Sequence, residues 1–214
     1  MPLEDGSFGA VVSQYGIEYS DMDQSLAEAV RVLAPGGRLR FALHAAEGSV
    51  AADTRRAIAD ADFVLDDCDP FGRASECFQA VLGVELGGAS GPLAQTVAQA
   101  RYAAFRDALK GLADRTATAA DAAMLVSVHG SLTDLFEQRR SLDKAAVDAR
   151  LAELRAEVEA HRERERALLA AALSSEQVAA LADRLASLGL VENRISEQRN
   201  GSSLIGHILE ATKP

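Results

Sequence analysis

The opening of the chain alternates between apolar runs and polar breaks in a pattern that predicts a strand, a helix and a second strand. The apolar run at residues 10–12 lies between polar neighbours and is typical of a strand buried in a parallel sheet. Helically spaced apolar residues follow, and the sequence Pro35-Gly36-Gly37 is expected to end that helix. Residues 38–44 then alternate in strand fashion. We therefore predict parallel strands at 10–14 and 38–44, joined by a helix over about 22–34.

The middle of the chain, from about residue 50 to residue 188, is rich in alanine and other helix-favouring residues and shows no convincing strand pattern. Its clearest amphipathic stripe has three- and four-residue spacing and consists of Val147, Leu151, Leu154 and Val158. This stripe is shorter than the roughly three to four heptads that indicate a coiled coil. The middle segment is therefore predicted to be a large helical insertion.

Polar side chains indicate where two of these helices begin. The spacing of Ser20 and Asp23 resembles a capping box for the first helix. Ser174 or Ser175 is expected to cap a later helix, whose buried stripe consists of Val178, Leu181, Leu185 and Leu188.

The C-terminal segment changes pattern again, because two strand-like stretches flank Asn200-Gly201, a strong hairpin signal. We predict an antiparallel hairpin formed by residues 189–197 and 203–211 that closes the sheet. The fold class is therefore α/β. The expected division of the chain is a sheet segment at 1–49, the helical insertion at 50–188 and the terminal hairpin at 189–214.

Charge and composition exclude several classes of function. The formal net charge is −10, with 32 acidic and 22 basic residues, so the overall field repels nucleic acid. No apolar run approaches the roughly 20 residues of a membrane span, and acidic residues stand where a signal peptide would be basic, so we expect a cytoplasmic protein. Cys68 and Cys77 lack a metal-binding spacing and are expected to be reduced thiols, partly buried, with no metal site.

Three motifs together carry a family resemblance: PLEDGSF, AVVSQYG and RVLAPGG. In combination they resemble the class I S-adenosylmethionine-dependent methyltransferases, especially the small-molecule type related to quinone-biosynthesis enzymes. The resemblance covers residues 2–45, with weaker support from 189–214, and Gly9 departs from it where the family commonly has Asp. It implies a partial Rossmann-like methyltransferase sheet, in which the two predicted strands are the fourth and fifth and the terminal hairpin supplies the last two.

The resemblance also implies parts that this sequence does not contain. In the family, a glycine-rich loop after the first strand and an acidic residue after the second bind the cofactor. Neither has a counterpart upstream of Met1, and Gly36-Gly37 and Gly87-Gly88 do not lie between a strand and a helix. The hypothesis is that the N-terminal cofactor-binding part is missing. The chain is then expected to bind S-adenosylmethionine poorly or not at all.

The candidate site residues follow the first predicted strand, because ligands of open α/β sheets bind at the carboxyl ends of the strands. By resemblance, Ser13, Gln14 and Gly16 are the candidates for cofactor contact. Tyr15 and Tyr19 are candidates for the wall of a substrate pocket, since a phenol offers an apolar face and a polar tip. Ordinary strand-to-loop packing without a ligand is the alternative for both sets.

Histidine supplies the one candidate for acid-base chemistry. His44 ends the second predicted strand and could act as a general base, although a structural histidine bonded to a loop carbonyl is the simpler interpretation. His129 and His161 lie in helical sequence and receive no role, and His207 is expected to lie far from the chemistry. Because the sulfonium donor is already activated, methyl transfer needs a base only if the acceptor must lose a proton.

Three functions remain open from the sequence. The first is a methyltransferase, or its carboxyl-terminal part, acting on a small-molecule acceptor. The second is a non-catalytic remnant that serves as a helical binding or dimerisation module. The third is a helical interaction protein with a fortuitous resemblance at its start. A homodimer through the helical region or through an exposed sheet edge is a further expectation.

Overall fold

A computed structural model describes residues 3–119 and 122–214 of the chain. Its sheet has four strands in the order β1-β2-β4-β3, with the bounds β1 Phe8–Gln14, β2 Leu33–His44, β3 Val191–Asn200 and β4 Ser203–Thr212. Strands β1 and β2 are parallel, whereas β4 runs antiparallel to both β2 and β3. The predicted α/β class, parallel pair and C-terminal hairpin turning after Asn200 are therefore confirmed.

Helices account for most of the remaining described residues. One helix connects the parallel strands, and the others lie between β2 and β3. Their bounds are α1 Met22–Val32, α2 Ser49–Asp62, α3 Pro70–Glu85, α4 Pro92–Thr116, α5 Ala123–Glu137, α6 Lys144–Ala171 and α7 Ser175–Ser187. Short 3-10 helices cover Ile17–Tyr19 and Arg139–Ser141, and a π-helical segment covers Phe63–Cys68. In the part of the chain that the structure describes, the predicted helical middle is present.

The chain forms two compact units, and the first contains the sheet. This sheet unit consists of residues 1–55 and 166–214. Alternate residues of the strands face α1 and α7, and the resulting core includes Leu26, Leu39, Phe41, Leu43, Val178, Leu185 and Leu209. Helix α7, which lies within the segment 50–188 of the sequence-based division, therefore packs on the sheet. The apolar stripe of α7 covers one face of the sheet.

The second compact unit, residues 56–165, is helical and has a core of its own. Its buried residues include Phe71, Phe78, Phe105, Leu112, Leu125, Leu132, Leu151 and Leu154. Cys68 and Cys77 are free thiols buried in this core. Burial raises the pKa of both thiols, that of Cys77 to about 11, because the thiolate would lose its hydration. Both cysteines are buried more fully than the sequence predicted.

Two local predictions around α1 are wrong. The helix is capped by Asp21, whose carboxylate accepts the Gln24 N–H at 3.0 Å, because the Ser20 hydroxyl instead donates to Ile17 O. The helix also ends before Pro35-Gly36-Gly37, which lie inside β2. Backbone hydrogen bonds between this segment and Lys213 extend the ladder there. The predicted Ser174 cap is confirmed, with Gln177 completing a capping box.

Candidate functional site

The candidate site lies where β1 and β2 end. Because the two strands are parallel, their carboxyl ends meet at the same edge of the sheet and bring the turn after Gln14 beside His44. Tyr15 begins the turn in the left-handed region, with φ of 54°, while its N–H still donates to Ala42 O at 2.8 Å. A non-glycine residue in this conformation costs about 1–2 kcal/mol, so the surrounding contacts must hold it.

Ser13 and Gly16 shape the turn itself. The Ser13 hydroxyl oxygen accepts the Ile17 N–H at 3.0 Å and so fixes the start of the 3-10 helix Ile17–Tyr19. Gly16 is exposed just before that helix, and its carbonyl accepts the Tyr19 N–H at 3.2 Å. The Ser13 hydroxyl proton remains available for a further acceptor, because this contact uses only an oxygen lone pair.

A buried carboxylate and a histidine form the centre of the site. Glu18 Oε1 lies 2.8 Å from His44 Nδ1 and accepts the His44 backbone N–H at 3.2 Å. The Glu18 side chain is fully buried, and its Oε2 atom has no hydrogen-bond partner in the described part of the chain. The His44 side chain retains 12% exposure. Such a carboxylate holds Nδ1 protonated, so the neutral imidazole presents Nε2 as an acceptor.

Two tyrosine rings flank His44. The Tyr15 ring lies with its centroid 4.4 Å from that of His44, and the Tyr19 ring meets His44 edge-on at 6.3 Å. Tyr15 also donates its hydroxyl to Gln198 Oε1 at 2.6 Å. Burial, and then the nearby Glu18 carboxylate, raise the pKa of Tyr15. The phenol is therefore a neutral hydrogen-bond donor at physiological pH, and its bond to β3 holds the strained turn in place.

Gly206 makes room for this arrangement. It pairs with His44 across the ladder, and a Cβ atom there would lie 2.5 Å from Leu43 O and 3.1 Å from the Tyr15 ring. Any larger residue would displace either the strand or the ring. The close approach of β4 to the turn thus depends on glycine at this position.

Gln14 pairs with Ala42, two residues before His44, and so lies on the same face of the sheet as His44. It is exposed and lines a groove of about 500 Å³ on the sheet, whose other walls include Arg40, Ala42, Gln198 and Ile208. His207, expected far from the chemistry, lies opposite Leu43 in the next strand, and its buried Nε2 atom is 3.8 Å from Glu47 Oε1. The fold therefore places His207 one ladder position from His44, with its side chain on the alternate face of the sheet.

The structure brings Tyr15, Tyr19 and His44 together, and it adds partners that sequence reasoning missed: Glu18, Gln198 and Gly206. Glu18 lies in the same short turn as Tyr15 and Tyr19, so the position of the two tyrosines could have identified Glu18 as a candidate site residue. No sequence signal marks Gln198, because it reaches Tyr15 from 183 positions away. Within residues 3–119 and 122–214, no three metal-binding side chains of the His, Cys, Asp or Glu type lie together.

Comparisons with known proteins give one match. Residues 1–41 match the family model described as a methyltransferase domain, a segment that spans β1, α1 and most of β2. No curated protein and no solved structure matched the chain. Among the described residues, no helix combines the length and apolar character needed to cross a bilayer.

Proposed function

We propose, from the match of residues 1–41 to the methyltransferase-domain model, that the chain is an S-adenosylmethionine-dependent methyltransferase, or part of one, acting on a small-molecule acceptor in the cytoplasm. The observation that supports the proposal is positional. The matched segment contains the whole turn from Ser13 to Tyr19, and that turn surrounds a histidine held by a buried carboxylate.

The proposed cofactor contacts are polar groups that local structure leaves available. The Gln14 amide is exposed, and the Ser13 hydroxyl still has a proton to donate. Together with the exposed Gly16 backbone, they would contact the amino-acid end of S-adenosylmethionine. When bound, the cofactor supplies a methyl group on a sulfonium, a donor that needs no further activation.

The proposed role of His44 is general base. His44 Nε2 would accept the proton of an acceptor hydroxyl or amine that lies beside it. Glu18 would keep Nδ1 protonated and stabilise the imidazolium, which is the role of a carboxylate behind a catalytic histidine. Tyr15 and Tyr19 would hold an apolar or aromatic acceptor beside the ring, since both present ring surface there.

A titration of isotope-labelled protein with S-adenosylhomocysteine, followed by NMR, tests the cofactor part of the proposal. We expect weak but saturable shifts confined to residues 13–19 and to His44. Gln14→Ala should reduce the affinity several-fold, whereas Gln99→Ala, a matched exposed glutamine in α4, should not. Absence of shifts at saturating ligand concentrations, or equal shifts in the Gln14→Ala protein, would contradict cofactor binding at this turn.

The second candidate function is a non-catalytic binding role for the helical unit. It is favoured by an apolar groove of about 450 Å³ in that unit, lined by residues that include Phe78, Leu82, Leu86, Leu142 and Val147. Leu86, in the lining of this groove, is 73% exposed and so is available to a ligand. Ligand-induced shifts confined to this groove, with none at the turn after β1, would favour the second function over the first.

A further inference from the structure

The Glu18 carboxylate is a buried negative charge that its neighbours compensate only in part. Its two hydrogen bonds, with His44 Nδ1 at 2.8 Å and with the His44 backbone N–H at 3.2 Å, both go to Oε1. The Oε2 atom is buried without a hydrogen-bond partner, and the side chain has no exposed surface. A buried charge in this state is costly unless another group compensates it. A ligand that brings the opposite charge is therefore favoured here.

No cationic side chain of the protein fills that role. Within residues 3–119 and 122–214, no arginine or lysine bonds Glu18. Tyr15 lies nearby, but its hydroxyl donates to Gln198 Oε1 at 2.6 Å and so is not available to the carboxylate. With a neutral imidazole at His44, the site that the chain builds thus has a net negative charge.

His44 connects this buried charge to the surface. Its side chain retains 12% exposure, and its neutral ring donates from Nδ1 to Glu18 while Nε2 is an acceptor. An ammonium group that donates to Nε2 therefore joins a chain of hydrogen bonds that ends on the Glu18 carboxylate. Such a chain is strengthened by a charged donor at one end and a charged acceptor at the other. A neutral hydroxyl can also donate to Nε2, but it brings no charge to compensate Glu18.

Tyr19 adds an aromatic surface that favours a cation. Its ring meets the His44 ring edge-on, with centroids 6.3 Å apart, and the residue is 49% exposed. Cations are attracted to the face of a tyrosine ring within about 6 Å of its centroid. A ligand that contacts His44 is therefore within reach of this ring. The net charge of −10 also draws cations rather than anions towards the chain.

We propose that the acceptor bound beside His44 is an amine that binds as its ammonium cation, with its N–H donating to His44 Nε2 and the Tyr19 ring beside it. This inference rests on the proposed function, because it names the chemical class of acceptor at that same site. It selects amines over phenols and alcohols. His44 contacts the ligand, whereas Glu18 acts through His44 and sets the preference for a positive charge.

Three probes of similar shape test this preference: benzylammonium, benzyl alcohol and benzoate. Each is titrated into isotope-labelled protein and followed by NMR at Tyr19 and His44. We expect benzylammonium to bind roughly tenfold more tightly than benzyl alcohol, because hydrogen bonds between charged groups are about twice as strong as neutral ones. Benzoate should not saturate the site. Equal affinities for the amine and the alcohol, preferential binding of benzoate, or no binding of any probe would overturn the proposal.

Matched variants assign the preference to named side chains. Glu18→Gln keeps the shape of the side chain but removes its charge, so the preference for benzylammonium over benzyl alcohol should be lost. Glu176→Gln, at the exposed start of α7, removes the same charge from the sheet unit and should keep the preference. An unchanged preference in Glu18→Gln, or its loss in Glu176→Gln, would contradict the role of Glu18.

Tyr19→Leu tests the aromatic contact and does not disturb the buried carboxylate. Because Tyr19 is half-exposed, this variant keeps the test decisive even if Glu18→Gln does not fold. It should weaken the binding of benzylammonium about two- to five-fold and leave that of benzyl alcohol nearly unchanged. Equal weakening of both probes, or of neither, would refute the contact between the cation and the Tyr19 ring.

Failure of this inference is distinguishable from failure of the proposed function, because the probe titrations need neither cofactor nor methyl transfer. An amine preference at His44 in a chain that does not bind S-adenosylhomocysteine would support the amine site and contradict the methyltransferase. Saturable S-adenosylhomocysteine shifts without an amine preference would support the methyltransferase and overturn the amine as its acceptor.

Discussion

Gly206→Ala is the substitution that most directly tests the geometry around Tyr15. The added Cβ would lie 2.5 Å from Leu43 O, 3.1 Å from Tyr15 Cε1 and 3.2 Å from the Tyr15 hydroxyl oxygen. Neither the ladder carbonyl nor the hydrogen-bonded ring can move freely, so the substitution overpacks the sheet unit. Overpacking of this kind costs roughly 1–3 kcal/mol. Each 1.4 kcal/mol is about a factor of ten in an equilibrium constant.

Hydrogen exchange measured by NMR provides the assay for Gly206→Ala. The backbone amides of Leu209 and Ala211 should exchange roughly 5- to 150-fold faster when exchange reports the opening equilibrium. The control is Gly130→Ala in α5, where a Cβ meets nothing within 4 Å. That variant should leave the β4 amides unchanged and stabilise α5 by about 0.5–1 kcal/mol. Unchanged exchange in Gly206→Ala would show that β4 and the Tyr15 ring do not approach each other this closely.

Three further outcomes follow from other contacts. Arg140 and Arg139 lower the pKa of Glu85 to about 2, so this carboxylate's contribution to stability is present above the usual glutamate pKa and lost as pH falls towards 2. Glu85→Gln removes this titrating carboxylate, so the helical unit of the variant should lose less stability on acidification than that of the unmodified protein, as measured by acid unfolding. Because Cys68 and Cys77 are buried with raised pKa values, a thiol reagent at neutral pH should modify them only after unfolding, and rapid modification would contradict their burial. Ser174→Ala should destabilise α7 by about 1 kcal/mol, measured by urea unfolding against Ser187→Ala, which lies at the other end of the helix.

Local patterns predicted the elements of the fold because they reflect local physics. Strand alternation in 38–44 and the Asn200-Gly201 turn signal each depend on residues close in sequence, and both elements are present. The wrong details around α1 came from competition between neighbours. Ser20 was available to cap α1, but its hydroxyl bonds the preceding 3-10 helix instead. Pro35-Gly36-Gly37 was predicted as a helix stop from local sequence alone. Backbone hydrogen bonds from Gly36 and Gly37 to the distant Lys213 instead place these residues in strand β2.

The candidate site was predictable only in part, because it is assembled from distant segments. Tyr15, Tyr19 and His44 could be proposed from their positions after predicted strands. The Glu18 contact needed the turn geometry that Ser13 imposes, since only the 3-10 helix directs that carboxylate at His44. Gln198 needed the order of strands in the sheet, which no local pattern encodes.

The position of β4 between β2 and β3 also constrains when the sheet can form. Arg40 and Glu210 pair across the β2–β4 ladder from 170 positions apart, and closing such a loop costs about 4.5 kcal/mol of chain entropy. The helical unit is contiguous and can fold while the chain is still being synthesised. Strand β2 leaves the ribosome well before its antiparallel partner β4. Completion of the sheet, and with it the Tyr15–Gln198 hydrogen bond, therefore waits until β3 and β4 have been synthesised.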